Sequence, residues 1–304
     1  MAKWILEILR NANINLQEGN QIPMIQDIYP HKLYNEYNPA AKVQENSPVL
    51  NIYNGKVLVH TEKFDNHIIA FPLKKEMPEE LEYTYLFRVD DIEYFLWNEE
   101  LREDLIPEGY AYVEERSIRK ADNGPCEEVF AATTGKHLSD WYRDTRFCGR
   151  CGTRMALRDK ERAMSCPACG YVAYPRIMPA VIVGVKNGDQ LLLTRYRTGF
   201  AYNALIAGFT EIGETVEETV MREVMEETGI RVKNIRYYKS QPWGTANDLL
   251  LGFYCEVDGD DTITMDCKEL KYAKWVKREE IELQPGDFSL TNEMMRRFKE
   301  GVEK

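Results

Sequence analysis

Gly208-Phe-Thr-Glu-Ile-Gly-Glu-Thr-Val-Glu-Glu-Thr-Val-Met-Arg-Glu-Val-Met-Glu-Glu-Thr-Gly-Ile230 joins a glycine-led loop, a helical pattern and a glycine stop in one window. Thr215 followed by Glu218 has the spacing of a capping box, so a helix is expected from about Thr215, and Gly229 suits the left-handed residue that closes it. Val216, Val220 and Val224 recur at helical spacing and would bury one side, while Glu223, Glu226 and Glu227 fall within one turn on another. Carboxylates this close repel one another. A divalent cation would relieve the conflict, and hard oxygen ligands on a short helix suit Mg²⁺ or Mn²⁺ better than zinc. Glu214 and Arg222 can lie on the same side and brace the loop against the helix, supporting the site without performing its chemistry. The competing reading of a bare Glu-x-x-Glu-Glu run is a solvated acidic face.

Strand-like runs flank the window. Tyr174-Pro-Arg-Ile-Met-Pro-Ala-Val-Ile-Val-Gly-Val enters a buried strand, and Gln190-Leu-Leu-Leu-Thr-Arg follows an Asn187-Gly188 turn. Ala204-Leu-Ile-Ala-Gly leads into the helix. After it come Tyr237 to Trp243, strands at Leu249 to Val257 and Tyr272 to Val276, and a last helix from about Thr291 to Lys299. Strands on both sides of a central helix, with a second helix at the end, predict an α+β unit built on a mixed sheet between helices over residues 175–304.

Ahead of it stand Cys148-Gly-Arg-Cys151 and Cys166-Pro-Ala-Cys169, separated by 14 residues. Two such knuckles match a zinc ribbon, expected over residues 144–174. Four thiolates leave no open position for water, so one structural Zn²⁺ per chain is expected. Redox chemistry is the alternative, but that chemistry uses a single Cys-x-x-Cys at a helix start. The remaining cysteines, Cys126, Cys255 and Cys267, read as small reduced hydrophobes, the last two in strand-like surroundings.

Residues 24–143 read as another α+β domain. Val49 to Tyr53, the Asn54-Gly55 turn and Lys56 to His60 form a hairpin signal. Tyr83 to Val89 and Tyr94 to Trp97 are further strands, and Pro125 to Trp141 a helix with Val129, Ala132 and Leu138 available for burial. No catalytic motif is visible in it, and His31, His60, His67 and His137 lack metal spacing. Residues 1–23 match the rest poorly. Met24 is the expected true start, with Gln17-Glu18-Gly19 translating a purine-rich upstream segment; an amphipathic helix using Trp4, Ile5, Ile8 and Leu9 is the alternative.

Composition sets outer bounds. The 304 residues suffice for two domains and a small module, and 44% hydrophobic with 29% charged residues describes an ordinary globular chain. A net charge of −11 argues against nonspecific attraction to nucleic acid or an anionic membrane, though bound cations can still recruit a polyanionic substrate. No apolar run approaches the length that crosses a bilayer, and the first residues do not form a secretory signal, so a cytoplasmic location is expected.

The pattern from Gly208 through Glu214, Arg222, Glu223, Glu226, Glu227 and Gly229 resembles the Nudix box, the signature of hydrolases that cut a pyrophosphate linking a nucleoside to another group. Phe147-Cys-Gly-Arg-Cys-Gly, Tyr174-Pro-Arg followed by Pro179-Ala, Ala207-Gly-Phe-Thr-Glu and Ser240-Gln-Pro-Trp243 narrow this. Together they resemble the zinc-containing NAD(+)/NADH pyrophosphatases, from about Phe130 to the end. The resemblance implies a Nudix fold preceded by the ribbon and by a degenerate Nudix-like domain, a homodimer, and hydrolysis of NADH to NMNH and AMP. It also implies, for some members, removal of NAD caps from RNA 5′ ends. Carried over by position, Glu223, Glu227, Glu269 and the Ala207 carbonyl would hold the catalytic metals, with Glu226 orienting or deprotonating water. Tyr174, Phe209, Gln241 and Trp243 would contact the dinucleotide, and Pro242, Gly244, Thr245, Ala246, Asn247, Asp248 and Thr291 would line the same cleft.

Two departures stand out. The family continues Ser-Gln-Pro-Trp with Pro-Phe-Pro-x-Ser, whereas Gly244-Thr-Ala-Asn-Asp248 follows here, and Ser-Ile-Ala becomes Ser289-Leu290-Thr291. The first is expected to replace a stiff wall by a looser polar one and broaden tolerance of the non-adenylate half, so that Pro-Phe-Pro restored at positions 244–246 would sharpen preference for NADH over ADP-ribose. Other readings are a pyrophosphatase for ADP-ribose, another nucleoside diphosphate derivative or a capped RNA end, and a regulator that binds a nucleotide without cutting it.

Overall fold

The computed structural model describes residues 24–120, 122–199, 201–286 and 288–303; the reading of residues 1–23 lies outside them. Local signals start the first sheet. β1 (Leu33–Tyr34) is followed by the hairpin of β2 (Val49–Tyr53) and β3 (Lys56–His60), which turns at Asn54-Gly55. Then come α1 (Thr61–Asp65), β4 (Thr84–Val89), β5 (Ile92–Trp97), β6 (Tyr110–Glu114), α2 (Glu115–Ile118) and α3 (Cys126–Asp144). The strand order is β1-β4-β5-β2-β3-β6, with β2 and β5 parallel. Val129, Ala132, Leu138 and Trp141 seat α3 on one face against Leu50, Ile52 and Leu86. Met77, Leu101 and the segments around them close the other.

The ribbon strands β7 (Ala156–Leu157), β8 (Met164–Ser165) and β9 (Val172–Ala173) form a small antiparallel sheet. They cannot bury a core of their own. Cys148, Met155, Met164 and Cys166 instead extend the α3 core beside Trp141 and Tyr142.

The second large sheet contains β10 (Met178–Asn187), β11 (Gln190–Tyr196), β12 (Ile206–Phe209), β13 (Val232–Trp243), β14 (Asp248–Val257) and β15 (Leu270–Lys277). Its order is β13-β14-β10-β11-β15, with β12 beside β10. β10 and β14 run parallel, and the other pairings are antiparallel. Between β12 and β13 lies α4 (Val216–Thr228), and α5 (Leu290–Lys299) follows β15. Val220 and Val224 of α4 pack on Val181, Val183 and Ile206 on one face. Met294, Met295 and Phe298 of α5 pack on Leu191, Leu193 and Tyr254 on the other. The expected mixed sheet between helices is therefore present.

The two large sheets repeat one plan. Hairpin β4-β5, the parallel partner β2, then β3 and β6 follow the same order and senses as β13-β14, β10, β11 and β15. Each is closed by a helix after its last strand. Where the second unit places α4, the first has only α1 and a 3₁₀ turn at Lys74–Glu76, so it repeats the sheet without the carboxylate helix. Met24 crosses from the first unit into the core beneath α5, and the Gln26 side chain donates to the Ser240 carbonyl at 3.2 Å. Among the described residues no helix is long and apolar enough to cross a membrane.

Candidate active site

The ends of α4 are set by the residues the sequence offered for them. The Thr215 side chain accepts from the Glu218 amide, the Glu218 carboxylate accepts from the Thr215 amide at 2.8 Å, and Gly229 closes the helix in a left-handed conformation. The loop before the helix is held by Arg222. Its Nε donates to Glu214 Oε1 at 2.5 Å, and its Nη2 donates to Glu214 Oε2 and the Phe209 carbonyl, both at 2.9 Å. Glu214 also accepts from the Glu211 amide at 3.0 Å, and these hydrogen bonds, led by Arg222, hold its pKa down at about 2. Arg222 Nη1 reaches Glu223 at 2.7 Å and Glu226 at 3.1 Å, so the guanidinium offsets part of the carboxylate repulsion.

Glu223 lies against the backbone of β12. A Cβ at Gly208 would sit 1.9 Å from the Glu223 carboxyl carbon, so only glycine admits this approach. Burial raises the pKa of Glu223. Glu227 is 3% exposed, and its Oε2 is buried with no hydrogen-bond partner. Burial first, then Glu269 and Glu223, push it up to about 8 against a lowering hydrogen bond from the Ala207 backbone. Glu269 sits in the turn before β15, which is tied to α4 by the Thr264 amide on the Thr228 carbonyl and the Asp266 amide on the Glu227 carbonyl. A buried, unsatisfied carboxylate oxygen among further carboxylates fits a hard divalent cation. Among the described residues these acids do not close to the mutual spacing of the four cysteine sulfurs.

Beside Ala207 opens a pocket of about 330 Å³ walled by Arg119, Tyr196, Trp243, Asp248 and Thr291. Trp243, Asp248, Thr291 and Ala207 were expected here; Arg119 and Tyr196 were not. Tyr196 is half-buried, and desolvation first, then Glu227, Glu269 and Glu223, raise its hydroxyl pKa. Arg119 caps the C-terminal end of α2 in the first unit. Its guanidinium stands 4.8 Å from the Trp243 ring centre, held by Glu115 at 3.1 Å. No local pattern marks Arg119, because its place depends on how the two sheets dock.

Gln241 differs from expectation. It is 0% exposed, donating to the Phe288 carbonyl at 2.7 Å and accepting from the Leu290 amide at 2.8 Å. Its amide is spent on holding the start of α5, a second-wall role in place of direct contact with a ligand. Tyr174 is exposed and lines a different cleft of about 390 Å³ with His137, Trp141 and Asn247. Phe209 is half exposed at the end of β12.

Residues 176–298 match the NUDIX domain, and residues 143–174 match the NADH pyrophosphatase zinc ribbon domain. Over 178 residues the chain is 44% identical to the NAD-capped RNA hydrolase NudC of Shigella flexneri, covering 55% of this chain and 68% of that protein. The corresponding protein of Escherichia coli O9:H4 (strain HS) is 43% identical over the same shares. The chain belongs to this family of zinc-ribbon Nudix hydrolases. A solved NUDIX hydrolase from Nitrosomonas europaea, 23% identical, aligns with 51% of this chain and 91% of its own at a TM-score of 0.45.

The Nudix hydrolase's zinc-ribbon cysteines meet the requirement of their metal. Sγ separations are 3.6 Å for Cys148 and Cys169, 3.5 Å for Cys151 and Cys166, and 3.6 Å for Cys151 and Cys169. A tetrahedral shell with Zn–S near 2.3 Å needs about 3.8 Å between sulfurs, whereas a disulfide needs about 2.05 Å. The Arg150 amide pointing at Cys148 Sγ at 3.4 Å is the donor a thiolate would need. Of the other cysteines Cys255 is buried in β14, but Cys267 is exposed in the turn before β15, not in a strand core.

The departure after Trp243 is firmer than its composition suggests. The Lys136 ammonium donates to the Thr245 carbonyl at 2.5 Å, the Thr245 hydroxyl to Glu115 at 3.2 Å, and the Met178 amide to the Asn247 carbonyl at 3.0 Å. A Cβ at Gly244 would come within 2.2 Å of the Thr133 carbonyl oxygen in α3. Gly244 therefore serves close docking of the turn on the first unit, and the expected looseness does not hold. Proline restored at position 244 would strike α3, which removes the basis of the Pro-Phe-Pro expectation. Even Gly244→Ala is expected to cost about 1–3 kcal/mol in thermal or urea unfolding, the usual range for overpacking against backbone. A loss under about 0.5 kcal/mol, the ordinary surface value, would contradict the docking account.

Proposed function

We propose that this Nudix hydrolase cuts the pyrophosphate of NADH and NAD(+) to NMN(H) and AMP, and removes NAD caps from RNA 5′ ends. The observation that carries the reading is the buried, unsatisfied Glu227 oxygen with Glu223 and Glu269 beside it, next to a pocket walled by Trp243. Glu223, Glu227, Glu269 and the Ala207 carbonyl would hold Mg²⁺ or Mn²⁺. The cation supplies charge neutralisation at the two phosphates and a lowered pKa for attacking water.

The chain's own residues do the rest. Trp243 offers a flat face for stacking a base, and Arg119 presents a fixed cation at the same wall. Glu226, more exposed than its neighbours and tethered to Arg222, would accept the proton of the attacking water. Arg222 and Glu214 hold the loop that follows Phe209, and Gln241 fixes the start of α5 where Thr291 enters the pocket.

The working units in this proposal are residues 24–143, the ribbon at 144–174 and the catalytic domain at 175–304, in a cytoplasmic homodimer. Exposed Phe209, Ile212, Met221 and Met225 support a partner copy, since apolar surface near the site favours burial. Incubation of the Mg²⁺- or Mn²⁺-supplied protein with NADH, ADP-ribose and NAD-capped RNA should yield NMNH with AMP, and a 5′-monophosphate RNA with NMN. Turnover of ADP-ribose alone would replace this reading with the nucleoside diphosphate one.

A further inference from the structure

Asp248 opens β14 directly opposite Trp243 across the hairpin. Paired residues of neighbouring strands share a sheet face, so the carboxylate and the indole belong to the same wall. Asp248 is 7% exposed, it lines the 330 Å³ pocket, and its Oδ1 is buried with no hydrogen-bond partner. Of the two cations near it, Lys136 is already engaged by Asp140 at 2.7 Å and the Thr245 carbonyl at 2.5 Å, and Arg119, 4.8 Å from the Trp243 ring centre, is paired with Glu115 at 3.1 Å. Burial pushes the Asp248 pKa up to about 6, which leaves it ionised at neutral pH.

A buried carboxylate without a partner is a cost to the fold, and a ligand that answers its charge recovers part of that cost. The family pattern has serine at this place, which carries no charge to answer. The two redox forms of the expected substrate differ where this matters. The oxidised nicotinamide ring is a pyridinium cation and the reduced ring is neutral, while carboxamide, riboses and phosphates are shared.

We propose that Asp248 is a specificity-determining residue that reads the charge on the non-adenylate base, favouring a pyridinium stacked at Trp243 over an uncharged ring. The inference rests on the dinucleotide reading of the pocket. Adenine against Trp243 would give Asp248 no means of telling NAD(+) from NADH, so the two orientations have different consequences.

The test compares kcat/KM for NAD(+) and NADH at pH 7.5 in wild type, Asp248→Asn and Asp248→Ser. Losing one partly screened charge contact should lower the NAD(+)/NADH ratio by about tenfold, chiefly through a higher KM for NAD(+), because a contact made equally in ground and transition states acts on KM. The change for NADH should be several-fold smaller than the change for NAD(+), because a neutral ring offers the carboxylate no charge to answer. A purely structural role would move both substrates together. Inhibition of the wild type by oxidised and reduced nicotinamide mononucleotide is the second measurement and does not depend on a variant folding; the oxidised form should bind about tenfold tighter. An unchanged ratio, a parallel loss for both substrates, or equal inhibition would overturn the inference while leaving the hydrolase reading in place. Failure of the wild type to turn over either dinucleotide would overturn both.

Discussion

Glu227→Gln is expected to lower kcat by about 10³-fold or more and, in Mg²⁺-free buffer that leaves the ribbon zinc in place, to raise the thermal midpoint. The activity loss would follow from removing a carboxylate proposed to hold the metal: several kcal/mol of charge stabilisation at about 1.4 kcal/mol per decade gives that range. The stability gain follows from the metal-free environment. Glu227 Oε2 is buried and unpartnered, and its pKa stands at about 8 in the folded chain against 4.5 for the ordinary side chain. A carboxyl with a raised folded pKa contributes stability that is fully present below about 4.5 and is lost as pH rises through about 8. The neutral amide escapes that loss, so the advantage of Glu227→Gln should grow from pH 5 to pH 8.5 and reverse when saturating Mg²⁺ stabilises the wild type alone. A variant that is less stable at every pH without Mg²⁺, or that keeps near-full turnover with it, would show that Glu227 is a structural carboxyl.

The parts of this site legible in the sequence were those specified over a few residues. Thr215, Glu218 and Gly229 bound α4 because capping bonds span three or four positions, and Asn54-Gly55 turns its hairpin for the same reason. The Glu214–Arg222 brace was legible from its eight-residue spacing, although Glu214 stands in the loop before the N-cap and not on the helix. Arg119 and Glu115 were not, since they reach Trp243 and Thr245 only through docking of one sheet unit on the other. Gln241 shows the converse. Its family motif points to a ligand contact, yet a side chain on a twelve-residue strand faces inward or outward by register, and register places its amide against the start of α5. The repeated sheet plan was legible only through the family resemblance, which implied a degenerate Nudix-like first domain, and not in that domain's own residues. Order and sense of strands are conserved between the units, but the helix that carries the recognisable motif is replaced in the first by α1 and a 3₁₀ turn.

Removal of the ribbon zinc, or Cys148→Ser, should have the largest effect on stability and a selective effect on catalysis. Structural zinc in small modules contributes apparent binding energies of about 10–16 kcal/mol, far more than two-residue strands can supply by pairing. Cys148 and Cys166 are both 3% exposed and belong to the same core as Trp141 and Tyr142, so loss of the metal should loosen residues 144–174 and the C-terminal half of α3 together. That half of α3 carries Lys136 at its start, the residue that pins the Thr245 carbonyl, whereas α4 packs in a separate core around Val181, Val183 and Ile206. Hydrogen exchange should therefore lose protection across the ribbon and α3 while α4, β10 and β14 keep theirs. With Mg²⁺ restored after zinc-selective extraction, KM for NADH should rise by about tenfold and kcat change by less than about threefold, the pattern of a lost binding wall with an intact reacting centre. The relevant contrast is kinetic: collapse of kcat while ribbon and α3 amides remain protected would assign the cysteines a part in the chemistry, which a closed four-thiolate shell cannot play.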